Sequence, residues 1–122
     1  MPVRSLNSSV LKWPDAISVE CAARAWAKRI AQNETRVRRV GYFGSYARGD
    51  WGVGSDLDVV IIVNDSDQPF ENRARAWDAT ELPVPTDVLV YTLREWETLP
   101  RDERFYKTLL SEVVWIYGND RN

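Results

Sequence analysis

Histidine is absent from this 122-residue chain, and cysteine occurs once, at Cys21. The first absence removes Ser-His-Asp and Cys-His hydrolases, His-ligated zinc and ordinary imidazole acid–base work. The second removes an internal disulfide and any thiolate metal cluster, and agrees with a reducing compartment. Carboxylates must therefore carry whatever chemistry the protein performs. Long apolar runs are missing too: the longest β-branched stretch, Val59 to Val63, falls far short of the roughly 18 residues of a transmembrane helix. The N-terminus has neither a basic n-region nor an apolar h-region, so the expectation is a soluble, cytoplasmic protein with no membrane partner. Lysine is scarce, three residues against thirteen arginines, and the net charge is −2. The one basic cluster, Arg36, Arg38 and Arg39, is spread over both faces of a strand, which disfavours polymeric nucleic acid as a substrate. Scattered arginines suit bidentate pairing with a triphosphate or an acidic partner.

The length allows one domain with one modest core. Residues 1–14 have no clear period and read as an N-terminal extension, ordered only if something packs on Leu11 and Trp13. From Asp15, a plausible N-cap, the residues Ala16, Val19, Ala23, Trp26 and Ile30 recur at helical spacing. Cys21 reads as part of that core pattern, and Glu20 with Arg24 makes an i,i+4 surface pair. Val37 to Phe43 and Val59 to Val63 read as strands, the second covered on both faces. Asn64 to Pro69 is a loop by composition. Phe70 to Glu81 is expected to be a helix, ended by Pro83 and Pro85. A third strand, Thr86 to Thr92, alternates Asp87, Leu89 and Tyr91 against Val88 and Val90, which sets the Asp87 carboxylate on a core-facing side where it would be costly unpaired. Thr92 with Glu95 is a capping-box pattern. Phe105 to Glu112 reads as the last helix and Val113 to Tyr117 as the last strand, closing a domain over residues 15–118 with a tail at 119–122.

Between the first two strands lies Gly44-Ser45-Tyr46-Ala47-Arg48-Gly49-Asp50-Trp51-Gly52-Val53-Gly54-Ser55-Asp56-Leu57-Asp58. Gly44-Ser45 offers backbone N–H groups and a small hydroxyl where glycine permits close approach, a seat for phosphate. Asp56 and Asp58 are two apart, so in an extended segment both leave one face, about 6.6 Å apart along the strand. Two such carboxylates suit a hard divalent ion shared with substrate phosphates. Other phosphate motifs are missing: there is no Gly-x-x-x-x-Gly-Lys-Ser/Thr, and no glycine follows Gly52-Val53-Gly54 three residues on. Trp51, in its glycine-bounded loop, could stack on a base, cap the core or meet a partner, and Asp50 reads as a solvated turn residue.

The Gly-Ser pair, ten residues, then Asp-x-Asp resembles the signature of the DNA polymerase β-like nucleotidyltransferase superfamily. The strings Phe43-Gly44-Ser45-Tyr46-Ala47-Arg48-Gly49 and Ser55-Asp56-Leu57-Asp58 resemble its minimal nucleotidyltransferases, although many relatives carry a different spacer where this chain has Trp51-Gly52-Val53-Gly54. The resemblance spans Asp15 to about Gly118. It implies an α/β (α+β) fold, a small mixed β-sheet flanked by helices. It also implies transfer of a nucleoside monophosphate from an NTP, ATP first among them, to a hydroxyl. By the same resemblance Asp56, Asp58 and Asp87 would be the catalytic and metal-holding residues, with two Mg²⁺ ions, while Gly44, Ser45 and Arg48 would bind nucleotide. For Arg48 a salt bridge that stabilises the turn is an equal alternative.

The implied partner is a HEPN-domain toxin, modified on tyrosine by this chain acting as a type VII-like antitoxin. Two other functions compete: a nucleotidyltransferase acting on a small molecule such as an aminoglycoside, and a non-catalytic toxin-binding module. The first usually has an added substrate-binding domain, and the second is disfavoured by the intact aspartates. Six Trp and five Tyr suggest an aromatic interface, with Trp13, Trp51, Trp96 and Trp115 outside the clearest helical stripes; filling a small core is the alternative.

Overall fold

The computed structural model describes residues 13–118. Most of the 1–14 extension, Leu11 included, lies outside the described residues. The first helix, α1 (Ala16–Asn33), opens where Asp15 accepts a hydrogen bond from the Ser18 N–H at 2.8 Å, which satisfies one of the first-turn donors. Its buried stripe is Val19, Ala23, Trp26 and Ala27. Cys21 is exposed rather than in the core: two residues past Val19 it is turned about 200° around the axis, away from the stripe.

Strand β1 (Val37–Phe43) leads into the short helix α2 (Ser45–Arg48), and β2 (Leu57–Val63) follows. After β2 the chain forms α3 (Phe70–Arg73) and one 3₁₀ turn (Ala74–Ala76), then β3 (Thr86–Thr92), α4 (Leu93–Glu97), α5 (Arg104–Glu112) and β4 (Val114–Tyr117). The sheet order is β3-β2-β1-β4, with β2 and β3 parallel and the other pairs antiparallel. This is the mixed α+β sheet that the family resemblance implies.

The expected helix over Phe70 to Glu81 stops after less than two turns. Asp78 Oδ1 accepts from both the Thr80 N–H (3.0 Å) and the Thr80 hydroxyl (2.6 Å), a local turn that competes with helix. The Asp78 carbonyl accepts from the Trp26 indole N–H at 2.8 Å. The freed segment is a run of turns and bends that covers one sheet face with Leu82 and Val84.

β2 organises the rest. Its side chains alternate between two cores: Val59, Ile61 and Val63 pack with α1, while Val60 and Ile62 pack with Tyr91 of β3, Trp96 of α4, Leu109 of α5 and Leu99 of the connection between those helices. Each such fully buried aliphatic contributes roughly 1.5–3 kcal/mol. The extra aromatics are used here. Trp96 is buried with Trp115 edge-on to it at 5.6 Å, Trp13 and Trp51 pack on the other core, and the Trp13 indole donates to the Tyr46 hydroxyl at 3.0 Å. These four tryptophans complete cores on both sheet faces, so their number carries no argument for an interface.

Arg73 ties α3 to the second layer. Its guanidinium is buried and pairs with Glu95 at 2.6 and 3.0 Å, donating also to the Val90 and Gln68 carbonyls. Glu95 simultaneously closes the capping box with Thr92. Glu95→Ala strands the buried charge and opens the cap, and should cost roughly 2–4 kcal/mol, whereas Glu20→Ala, breaking the exposed pair with Arg24, should cost about 0.5 kcal/mol or less. The Arg73 hydrogen bond holds the Glu95 carboxyl below its ordinary range. Its stabilisation is present above the unfolded-state carboxyl pKa and lost as pH falls through the depressed folded value. Urea melts of the wild type and Glu95→Ala should therefore converge in acid and separate at neutral pH.

Candidate active site

Pairing across three strands assembles one row of side chains. Phe43 of β1 faces Asp58 of β2, and Asp58 faces Asp87 of β3. Neighbouring strands lie about 4.8 Å apart, and side chains in register across them share a face, so the Asp58 and Asp87 carboxylates stand side by side. They share that face with Val60, Ile62, Leu89 and Tyr91, and α5 borders the Asp58 end of it through Phe105, Thr108 and Glu112. Asp87 is exposed and Asp58 partly buried, so Asp87 does not meet the desolvation cost its strand pattern suggests. The ladder reaches this end through the Leu57 N–H, which donates to the Pro85 carbonyl at 2.9 Å.

Gly44 sits against the row. Its φ is +81°, a region L side chains rarely adopt, and a Cβ there would overlap Asp58 Oδ2. Only glycine lets the turn lie this close to the carboxylate. Asp56 lines one cavity with Asp58, Gly44, Ser45 and Arg48, of ≈ 350 Å³. Asp87 lines a second, open cleft of ≈ 1070 Å³ together with Thr86, Leu89 and Trp77. Phe43, Asp58 and Phe105 belong to both walls, so the two spaces meet at Asp58.

Burial pushes the Asp58 carboxyl above its ordinary range; the Asp87 and Asp56 charges push the same way, and the Arg48 guanidinium opposes them. Crowded like charges of this kind call for a cation, and the donors are all oxygen, as a hard divalent ion prefers. Among the described residues no three acidic, cysteine or histidine side chains are close enough to hold an ion alone. The residues present thus suit an open site that shares its ion with substrate phosphate and water, and not a closed protein cage.

Arg48, expected to touch nucleotide, is found in the alternative arrangement: Nε donates to Asp50 at 3.1 Å and Nη1 to Glu112 at 3.1 Å. Asp50 is exposed but paired. Trp51 stacks on Tyr46 at 5.6 Å and 10° and lines neither cavity of the site, so of its three readings the core cap is the one found. The basic cluster at β1 is also spent: Arg36 pairs with Glu34, Arg38 donates to Asn64, and Arg39 lies over the Trp115 ring at 4.9 Å.

Sequence reasoning missed Glu112 and Phe105. Phe105 is half exposed and edge-on to Phe43 at 6.4 Å. Glu112 accepts from the Gly44 N–H at 3.1 Å. Its place follows from strand pairing: Tyr42 faces Val114 in an antiparallel ladder, so two residues on, Gly44 comes opposite Glu112. Nothing in the sequence marks that pairing.

A family profile described as "Nucleotidyltransferase domain" matches residues 24–116. The chain belongs to that family. The match contains the turn at Gly44, Asp56, Asp58, Asp87 and Glu112. Among solved structures, this nucleotidyltransferase domain resembles a Sulfolobus solfataricus protein provisionally described as a nucleotidyltransferase, with a TM-score of 0.60 at 18% identity over 91% of this chain and 94% of that one. It also resembles a toxin–antitoxin structure with AMP-PNP, with a TM-score of 0.58 at 14% identity over 80% of this chain and 75% of that one. A mutant of the MntA-HpeT toxin–antitoxin gives a TM-score of 0.55 at 11% identity over the same shares. At these identities the likeness is one of fold. No curated protein sequence matches the chain significantly.

The raised Asp58 carboxyl has a stability consequence of opposite sign to that of Glu95. A carboxyl whose folded pKa lies above its unfolded value favours the folded state below the unfolded pKa and loses that contribution as pH rises through the folded value. Asp58→Asn should therefore melt higher than the wild type at neutral pH without divalent ion, and the difference should shrink in acid. Added Mg²⁺ should raise the melting temperature of the wild type and not of Asp58→Asn, checked by thermal melts with and without the ion.

Proposed function

We propose that this nucleotidyltransferase domain transfers AMP from ATP to a tyrosine hydroxyl of a HEPN-domain toxin, acting as its antitoxin in the cytoplasm. The observation that carries the reading is the position of Asp58, beside Asp87 at the junction of two cavities. One cavity offers the Gly44-Ser45 turn and Arg48 for the β- and γ-phosphates. The other, on the Asp87 side, is an open cleft, which leaves room for a protein acceptor. The fold shared with toxin–antitoxin structures, one of them with AMP-PNP, supports the partner and the nucleotide. The exposed Cys21 thiol fits a reducing compartment.

In this reading Asp56, Asp58 and Asp87 hold Mg²⁺, two ions in all. When bound, the metal supplies Lewis-acid stabilisation of the attacking and leaving oxygens. Asp87, on the acceptor side, takes the proton of the incoming hydroxyl. The hydroxyl oxygen forms a bond to the α-phosphorus, the bond from that phosphorus to the bridging oxygen of the β-phosphate breaks, and pyrophosphate leaves with the electron pair. Gly44 and Ser45 orient the departing phosphates, and positioning of this kind is where most of the rate is gained in phosphoryl-type transfer.

Intact-mass measurement of a co-expressed HEPN-domain partner, incubated with ATP and Mg²⁺, should show one added adenylate on tyrosine, lost in EDTA. Asp87→Asn should lower turnover about a hundredfold or more while changing ATP affinity far less, because a base acting on the acceptor works chiefly in the transition state. Efficient modification of an aminoglycoside with no mass gain on the partner would replace the protein acceptor by a small molecule. Stoichiometric toxin binding with no transfer to anything would make the chain a binding module.

A further inference from the structure

Glu112 sits on donors at the turn that follows β1. The Gly44 N–H donates to Glu112 Oε1 at 3.1 Å, and Arg48 Nη1 donates to Oε2 at 3.1 Å and Oε1 at 3.3 Å. One carboxylate thus takes two of the donors that the turn offers an anion, a backbone amide and a guanidinium, with two oxygens in the way a phosphate would. Glu112 lines the same cavity as Ser45, Asp56 and Asp58, and its side chain is only 15% exposed where Arg48 is 46% exposed. Its charge adds to the repulsion already acting on Asp58.

A triphosphate arriving at Gly44 and Arg48 cannot share those donors with a fixed carboxylate. We propose that Glu112 is an internal occupant of the phosphate seat, and that nucleotide binds by displacing it from Gly44 and Arg48. The inference rests on the nucleotidyl-transfer reading and adds a residue that sets nucleotide affinity. The backbone at Glu112 is anchored, since it ends α5 and the next N–H, of Val113, donates to the Leu109 carbonyl at 3.0 Å. Release is therefore a side-chain rotation. Arg48 stays in place during the exchange because Asp50 holds its Nε, and it passes from the carboxylate to a phosphate oxygen. This also joins the two readings of Arg48: its ion pair is the resting arrangement and its phosphate contact the loaded one. The competing role is a strut, in which Glu112 stays on Gly44 and Arg48 throughout and holds the turn in shape.

The two roles predict opposite effects on affinity. Calorimetry with Mg²⁺–ATP, and with Mg²⁺–inorganic triphosphate, which has neither base nor sugar, should be run on the wild type, Glu112→Gln and Glu112→Asp. Glu112→Gln keeps an acceptor for the Gly44 N–H and removes the charge that competes, so both ligands should bind it about tenfold more tightly than the wild type. Glu112→Asp keeps the charge but draws it back by one methylene, and should lie between. Unchanged or weaker binding by Glu112→Gln would overturn the displacement and leave a strut. If Glu112→Gln does not fold, tighter binding by Glu112→Asp supports the proposal and equal or weaker binding overturns it. Failure of every folded form, the wild type included, to bind inorganic triphosphate would overturn the phosphate seat itself. Triphosphate binding that Glu112→Gln strengthens, with no transfer to any acceptor, would support the displacement while removing the transferase reading.

Discussion

β2 has no polar face along its inner length, and the rest of the domain answers that constraint. Val59, Ile61 and Val63 require cover on one side, and Val60 and Ile62 on the other, so α1 and the segment around Leu82 and Val84 close one face while α4 and α5 close the second. At Asp58 the cover on the second face opens into a cavity that α5 walls on one side. A carboxylate is tolerable there because it is only partly buried, and it is perturbed there because the apolar strand pulls it in while two neighbouring aspartates repel it. Stability and chemistry are thus set on the same strand, a few residues apart.

The site is assembled from the ends of elements whose middles do the packing. β1 delivers Phe43 and Gly44, β2 delivers Asp58, β3 delivers Asp87 and α5 delivers Glu112. Because sheet and helices are locked by buried aliphatics and by the Arg73–Glu95 pair, their ends are held in fixed relation without hydrogen bonds between the aspartates. Among the described residues those carboxylates accept no protein hydrogen bond, and the one cation acting on Asp58 is the Arg48 guanidinium. The one acidic side chain at the site that is fully engaged, Glu112, is engaged with the turn and not with the aspartates.

Aromatic side chains illustrate how a small domain uses its composition. Two sheet faces must be sealed by few residues, and large rings seal more area per residue than aliphatics. Tyr91 touches Phe70, Trp96 and Tyr106 rings, and Phe105 joins Tyr106 to Phe43 at the mouth of the site. The ring network therefore runs from the second core to the junction of the two cavities, and it is accessible there at Phe105 and at its other end at Phe70.

Local chemistry was legible in the sequence wherever neighbours in the chain decide it. Asp15 caps α1, Thr92 and Glu95 form their box, β1 and β3 have the bounds their patterns suggest, and the Gly-Ser turn and the two following aspartates line one cavity. The sequence misled where position around an axis or a competing turn mattered: Cys21 faces outward, and the Asp78–Thr80 turn ends the helix that Phe70, Ala74 and Trp77 suggest. Spacing puts Asp56 near Asp58, but only the parallel register of β2 with β3 brings Asp87 beside Asp58, and only the antiparallel register of β1 with β4 brings Glu112 to Gly44. Side-chain periodicity is a property of one segment, readable from its own residues; which segments become neighbours depends on how all the apolar faces are buried at once, and that is settled only in the folded sheet.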